Sequence, residues 1–382
     1  MNQIYLDNAA ATPVDPRVLA AMQPYFTEKF YNPSALYLSS KAVAQDIAEA
    51  RQKVAGIIGC RPAEVTFTAG GTEANNLAIH GVMSSFPGSH VVASAVEHDS
   101  VLESVKEYDH TLAPVLADGR VDVEALRHAI TDKTVLVSIM LVNNEIGTVM
   151  PLARIAEVVQ EIRETRKQHG NDLPLFLHSD AAQAPLYLDI HVKRLGIDML
   201  TLNGGKIYGP KQSGVLYVAS HVPLKARIVG GGQEFGRRSG TENVAGIIGF
   251  SKALEIATAK RPQVTRSMKA LQDDFMTQLK KTIPQIEING SLKFRTPNNV
   301  HVTIPGCDNE RLLMELDERG IVCAVGSACS ASSDEPSHVL KAIGLTDAQA
   351  QSSLRFTMGR HTTPEEIAHT VTTLTSLVAS AA

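Results

Sequence analysis

Three short stretches hold residues whose types and spacing suit chemistry. Phe67 to Asn76 reads FTAGGTEANN, in which an apolar run gives way to Gly70-Gly71-Thr72 and then to a helical pattern. Glycines at such a junction let backbone N–H groups approach an anion, and a helix N-terminus with a threonine hydroxyl completes a phosphate cradle. Taken alone, the pattern is more often a turn and an N-cap. Leu175 to Gln183, LFLHSDAAQ, delivers Asp180 at the end of an apolar run, where a carboxylate is commonly a salt-bridge partner or a helix cap. Met199 to Gly214, MLTLNGGKIYGPKQSG, sets Lys206 in a glycine-rich turn. A partly desolvated amine there can act as a nucleophile, although a surface lysine is the plainer reading. Together the three fit one ligand. Pyridoxal phosphate requires an amine for Schiff-base formation, a carboxylate to keep its pyridine nitrogen protonated, and donors for its phosphate. Lys206, Asp180 and Gly71/Thr72 supply these.

The elements that must position these groups alternate along the chain. Strands are expected at Val65 to Thr68, His90 to Ala95, Thr134 to Leu141, Leu175 to Ser179, Met199 to Leu202 and Gly214 to Val218. Helices start at Asp15 before Pro16, at Thr72, and at Pro151, the last running to Gly170. Strand, helix, strand in this order predicts a mostly parallel, buried sheet, with its ligand beyond the carboxyl ends of the strands. After about residue 260 the texture changes. Helices near 263–281, 308–319 and 363–380 surround strands at 285–289, 298–304 and 321–325, a smaller α+β arrangement. Ala324 to Pro336, AVGSACSASSDEP, reads as a long surface loop.

Composition narrows the function classes. With 382 residues, 44% hydrophobic and 20% charged, the chain has the make-up of a globular protein with room for a large core. A net charge of −4 gives no footprint for nucleic acid or an anionic membrane. The start carries no basic-then-apolar leader, and the longest apolar run, Thr134 to Val142, is far short of the roughly 20 residues that span a bilayer. A cytoplasmic location is expected. Cysteines stand at 60, 307, 323 and 329 without a CxxC pair, so neither a disulfide framework nor a metal site is indicated. Cys329, in Gly-Ser-Ala-Cys-Ser within the polar loop, is the candidate nucleophile. Cys60 and Cys323 have apolar neighbours and read as buried packing residues, and Cys307 as a turn residue without partners.

Ten motifs in order, YLDNAAATPVDPRV, NPSAL, FTAGGTEANN, VEHDSV, VSIMLVNNEIG, HSDAAQ, KIYGPKQSGVLYV, RRSGTEN, VGSACS and LRFTMGR, resemble those of the cysteine desulfurases of the NifS/IscS type, in the class V aminotransferase group. The resemblance covers nearly the whole chain. It implies fold type I, with a large cofactor domain over 15–260 and a small α+β domain from 1–14 with 261–382 carrying the cysteine loop. By the same resemblance Lys206 is the cofactor lysine and Asp180 the partner of the pyridine nitrogen. His98 stacks on the ring and moves protons, Asn144 and Gln183 contact the ring, and Gly71, Thr72 and Asn203 hold the phosphate with Thr241 of a second subunit. Arg355 and Asn32 take the substrate carboxylate. Read without the resemblance, His98 is a solvated helix cap and Arg355 a surface ion pair.

The reaction implied starts from L-cysteine. Cys329 attacks the substrate sulfur, keeps it as a persulfide, and L-alanine leaves. The partners implied are a second copy of the chain and a sulfur acceptor, either an iron–sulfur scaffold, where Cys329 is a candidate cluster ligand, or a tRNA-thiolation enzyme. Two other readings are a selenocysteine lyase or other class V enzyme, and a low-activity paralogue acting as a binding scaffold. The chain departs from the family pattern at Asn203-Gly204-Gly205-Lys206, where the family has S-G-H-K, and at Tyr37, where it has histidine. It also ends at Ala382, short of the C-terminal extension with which some members dock a scaffold. Gly205 predicts looser cofactor binding.

Overall fold

The computed structural model describes residues 3–326 and 336–381. Its first eight strands are β1 (Ile4–Tyr5), β2 (Val65–Thr68), β3 (His90–Ser94), β4 (Asp109–Ala113), β5 (Thr134–Ser138), β6 (Phe176–Asp180), β7 (Met199–Asn203) and β8 (Gly214–Val218). Seven of them form one sheet in the order β2-β8-β7-β6-β5-β3-β4. From β4 to β7 the neighbours are parallel, whereas β8 runs antiparallel to both β7 and β2. Runs such as Thr134–Ser138 and Gly214–Val218 are buried throughout, as expected of strands covered on both faces by helices. All six expected strands of this region are present. β4 was not among them, because four residues of its sequence, DHTLA, keep some exposure and the apolar signal is weak.

Four further strands, β9 (Glu287–Ile288), β10 (Asn299–Thr303), β11 (Ile321–Val322) and β12 (Ser353–Thr357), build the smaller sheets. β12, β10 and β9 are antiparallel, and β1 pairs in parallel with β11. The N-terminal strand therefore joins the C-terminal third of the chain. Just beyond it Thr357 N–H donates to Leu6 O at 2.6 Å and Asn8 N–H to Thr357 O at 3.1 Å, which carries residues 7–12 across the ends of the large sheet.

One helix, Val244–Thr282, runs 39 residues through the place where the sequence changes texture. Sequence reading starts a helix only after Pro262, since proline favours a first turn. Instead Pro262 lies inside, its missing N–H leaving one carbonyl of the preceding turn without a helical donor. No helix among the described residues is long and apolar enough to cross a membrane.

Candidate active site

A cavity of about 260 Å³ opens at the carboxyl ends of the parallel strands and is lined by Gly71, Thr72, His98, Asn144, Asp180, Gln183, Asn203, Lys206 and Arg355. Nine of the twelve residues singled out from sequence thus converge on one space. The loops after β3, β5, β6 and β7 supply most of them, as the parallel topology requires.

Lys206 ends a single tight turn, Gly204–Lys206, directly after β7. Asn203 Oδ1 accepts from Gly205 N–H at 3.1 Å and shapes the turn. A Cβ on Gly204 would come within 2.2 Å of Ser213 Oγ, so only glycine fits there. The Lys206 amine donates to the carbonyls of Ala9 at 2.8 Å and Ala10 at 2.6 Å, and Gln183 Nε2 donates to Ala9 O at 3.0 Å. Thr12 locks this crossing segment in place, its hydroxyl donating to Gly205 O and accepting from Tyr208 N–H.

Asp180 closes β6 and is only 8% exposed. Its carboxylate accepts from Asn75 Nδ2 at 2.7 Å and from Ala182 N–H at 2.9 Å. Asn75 also donates to Ser100 Oγ at 2.9 Å, and that hydroxyl lies 2.9 Å from His98 Nδ1. Because Ser100 N–H donates to the same nitrogen at 3.0 Å, Nδ1 is an acceptor and a neutral His98 carries its proton on Nε2. His98 is therefore a helix cap, of Asp99–Val105, and a cavity residue at once.

The helix Gly71–Met83 begins at the cavity wall, and its N-cap residue Gly70 has φ 123° and offers no side chain to its first N–H groups. A Cβ on Gly71 would sit 3.4 Å from Asn203 Nδ2, an ordinary contact, so that amide lies directly against the helix start. Thr72 and Asn203 add side-chain donors to the bare N-terminus. An adjoining cavity of about 630 Å³ shares Gly71, Thr72, Asn203 and Lys206 and adds Arg227, Arg237 and Arg238.

Arg355 on β12 corrects the surface-pair reading. Its side chain is 2% exposed, with one terminal nitrogen on Asp7 Oδ1 at 2.8 Å and the other on Asn144 O at 3.1 Å. Its Nε is buried without a partner among the described residues. Asn32 and Thr241 are not brought into this cavity. Asn32 is exposed and accepts from Ser34 N–H in a local turn, and Thr241 lines a neighbouring cavity of about 250 Å³. Cys329 lies outside the described residues.

The other thiols are poorly suited to attack. Burial pushes Cys323 up to about 12 and the half-buried Cys60 also up to about 12. Cys307, expected as a turn residue without partners, is 8% exposed and its thiol is likewise raised by burial. Beside His98, Glu97 is fully buried, and burial lifts its carboxyl to about 8 although Ser94 Oγ and Met140 N–H donate to it. Sequence reasoning missed Asp7, Asn75 and Ser100. Asn75 was recoverable, standing four residues after Gly71 and so one helical turn along the same face. Asp7 was not, since only its bridge to Thr357 on β12 brings it to Arg355.

The class V aminotransferase family model matches residues 4–369, and the chain belongs to this family, which uses pyridoxal phosphate. Within it the chain is 39% identical to the cysteine desulfurase IscS of Dictyoglomus turgidum, over 98% of this chain and 94% of that one. It is similar to the solved structure of a NifS-like protein, with TM-score 0.90 and 29% identity over 99% of this chain and 100% of that chain. The structure of SspA in complex with cysteine aligns with TM-score 0.78 and 34% identity over 93% of this chain and 98% of its own. The residues present fit the cofactor: a helix start without a side-chain cap, a buried carboxylate that accepts from two N–H donors, and a lysine amine facing the same space.

Proposed function

We propose that this protein is a cysteine desulfurase whose chemistry rests on Lys206, Asp180, His98, Arg355 and Cys329. The observation that carries the assignment of roles is the meeting of the first four on one 260 Å³ cavity at the strand ends. Bound pyridoxal phosphate supplies electron withdrawal from the substrate α-carbon. Gly71, Thr72 and Asn203 would hold its phosphate, Lys206 would hold it covalently, and Asp180 would stabilise a protonated ring nitrogen. Asn144 and Gln183 border the ring.

Arg355 receives the carboxylate of L-cysteine. Asp7 and Asn144 O fix the guanidinium plane from behind, so little side-chain entropy is lost on binding. The Lys206 amine takes the α-proton, and His98, protonated on Nε2 when neutral, can give or accept a proton on the cavity side. The Cys329 thiolate then attacks the substrate sulfur. An S–S bond forms and the C–S bond breaks with its electron pair left on the substrate β-carbon; that carbon takes a proton, the α-carbon regains the proton it lost, and L-alanine leaves. The high pKa values of Cys60, Cys307 and Cys323 support assigning this step to Cys329. From its persulfide the sulfur passes to an acceptor for iron–sulfur clusters or tRNA thiolation.

A homodimer accords with the apolar surface, where Leu36 is 87%, Leu38 83% and Val229 80% exposed. It is also the arrangement in which Thr241 reaches a partner's phosphate. The test is to follow alanine and persulfide formed from L-cysteine by wild type, Lys206→Ala and Cys329→Ser. Lys206→Ala should lose the cofactor absorbance that borohydride bleaches, and Cys329→Ser should keep it yet form neither product. Product formation by Cys329→Ser would overturn the reading.

A further inference from the structure

Both described ends of the segment that carries Cys329 are tied to the walls of the cavity. At the first end Ala324 and Arg355 exchange backbone hydrogen bonds of 3.0 and 2.7 Å, so the chain leaves for Gly326 from beside Arg355, the residue proposed above to take the substrate carboxylate. At the other end Ser337 Oγ donates to the Glu145 carboxylate at 2.6 Å, and His338 Nε2 lies 2.9 Å from Glu97 O. Glu145 follows Asn144 in sequence and Glu97 precedes His98, and Asn144 and His98 both line the cavity. The ends also meet each other. A Cβ on Gly326 would stand 3.7 Å from Ser337 Cβ and 4.0 Å from Glu145 Oε2.

Glu145 is costly where it stands. It is 1% exposed, and a carboxyl that deep is retained only with partners that satisfy it. The turn around it is heavily pinned: Asn143 Oδ1 accepts from the N–H groups of Glu145 and Ile146, and Asn299 Nδ2 donates to Glu145 O at 2.7 Å. The carboxyl is thus a fixed point, and the hydroxyl on it belongs to the segment.

We propose that Glu145 is a positioning residue for sulfur transfer, acting through Ser337 to hold the base of the Cys329 segment against the cavity. The inference rests on Cys329 being the nucleophile. Cys329 stands three residues after Gly326, a stretch that reaches about 11 Å at most, so where the base is held sets where the thiol can go. A displacement of about an ångström at a reacting atom is enough to cost one to two orders of magnitude in rate.

The test compares Ser337→Ala, Ser337→Thr, Glu145→Ala and the double variant Ser337→Ala/Glu145→Ala with wild type and Cys329→Ser. Three quantities are read: pyridoxal phosphate affinity of the apo-protein, the change in cofactor absorbance on adding L-cysteine, and the rate of persulfide formation. Ser337→Ala should slow persulfide formation about tenfold and leave the other two within about twofold, Ser337→Thr should restore the rate, and the double variant should be no slower than the worse single one. If Ser337→Ala forms persulfide at the wild-type rate, or slows it only with an equal loss of cofactor affinity, the positioning role is wrong. If Cys329→Ser still forms persulfide, the underlying nucleophile assignment fails instead. Should Glu145→Ala, which removes a buried group, or the double variant that contains it fold poorly, both are set aside. Ser337→Ala alone then decides the matter.

Discussion

Asn75→Asp tests the carboxylate end of the site with the least disturbance of shape. The position is 1% exposed, and the two side chains are isosteric, so no cavity opens and the change is electrostatic. In the protein Asn75 Nδ2 donates to Asp180 at 2.7 Å and to Ser100 at 2.9 Å. Exchanging the amide for a carboxyl removes a hydrogen bond to a charged group, worth about 1.5–3 kcal/mol, or roughly 10- to 100-fold in an equilibrium constant. It also sets two carboxyls about 3 Å apart, where both cannot ionise freely, so near neutral pH the pair shares one proton. Asp180 then divides its charge between that proton and the cofactor ring. Titrating pyridoxal phosphate into apo-protein should show affinity at least tenfold weaker than wild type. The pair's upper pKa is raised above its unfolded value. The folded variant therefore holds a proton that the unfolded chain has lost, and its stability relative to wild type should fall as pH rises from about 4, the unfolded carboxyl's value, up through the pair's upper pKa. Asn75→Ala, which loses the donor without adding charge, should weaken binding without that pH trend. Cofactor affinity at the wild-type level in both variants would refute the claim that Asn75 holds Asp180 toward the ring nitrogen.

Three other outcomes follow from the geometry. Iodoacetamide at neutral pH should label Cys329 before Cys60, Cys307 or Cys323, whose pKa values burial raises; early labelling of Cys323 in the folded protein would contradict its placement. Glu97 rises from 4.5 to about 8 on folding, so between these values the folded chain holds a proton that the unfolded one lacks and stability declines with pH. Urea unfolding should accordingly show Glu97→Gln gaining on wild type from about pH 5 to about pH 8, and a constant difference would rule this out. At Gly205 the nearest atoms to an added Cβ are Asn203 Oδ1 at 3.6 Å and Lys211 Cγ at 3.7 Å, ordinary contacts, and φ is not positive. Gly205→His should therefore fold and bind pyridoxal phosphate about tenfold more tightly through an added donor; unchanged or weaker binding would show that Lys211 or the rebuilt turn already serves the phosphate.

Much of this site could be read along the chain because each element contributes locally. A strand followed by glycines and a lysine, or by an aspartate, places that residue at the ligand end of a parallel sheet wherever the strand comes to lie, and Gly71 opens a helix for reasons confined to a few residues. Periodicity and turn chemistry sufficed for six strands of the large sheet, whereas β4, half-exposed at the edge, has too weak a pattern to be seen. The unbroken helix through Pro262 was hidden for a different reason. Proline carries the same local signal at a helix start as inside one, and only packing on both sides of it decides between them.

The motifs of the sequence pointed to the family and the cofactor, and they singled out Lys206, Asp180, His98 and Arg355, which line one cavity. Tertiary structure decided how those groups are held. Asp7 meets Arg355 across 348 positions because its backbone bridges to Thr357 on β12, and Asn75 bridges Asp180 and Ser100 because the helix Gly71–Met83 packs against both β6 and the helix Asp99–Val105. Glu145 and Ser337 meet across 192 positions. No local propensity encodes such encounters. They arise when buried polar groups, left without water, must find partners among whatever the packed elements bring within reach.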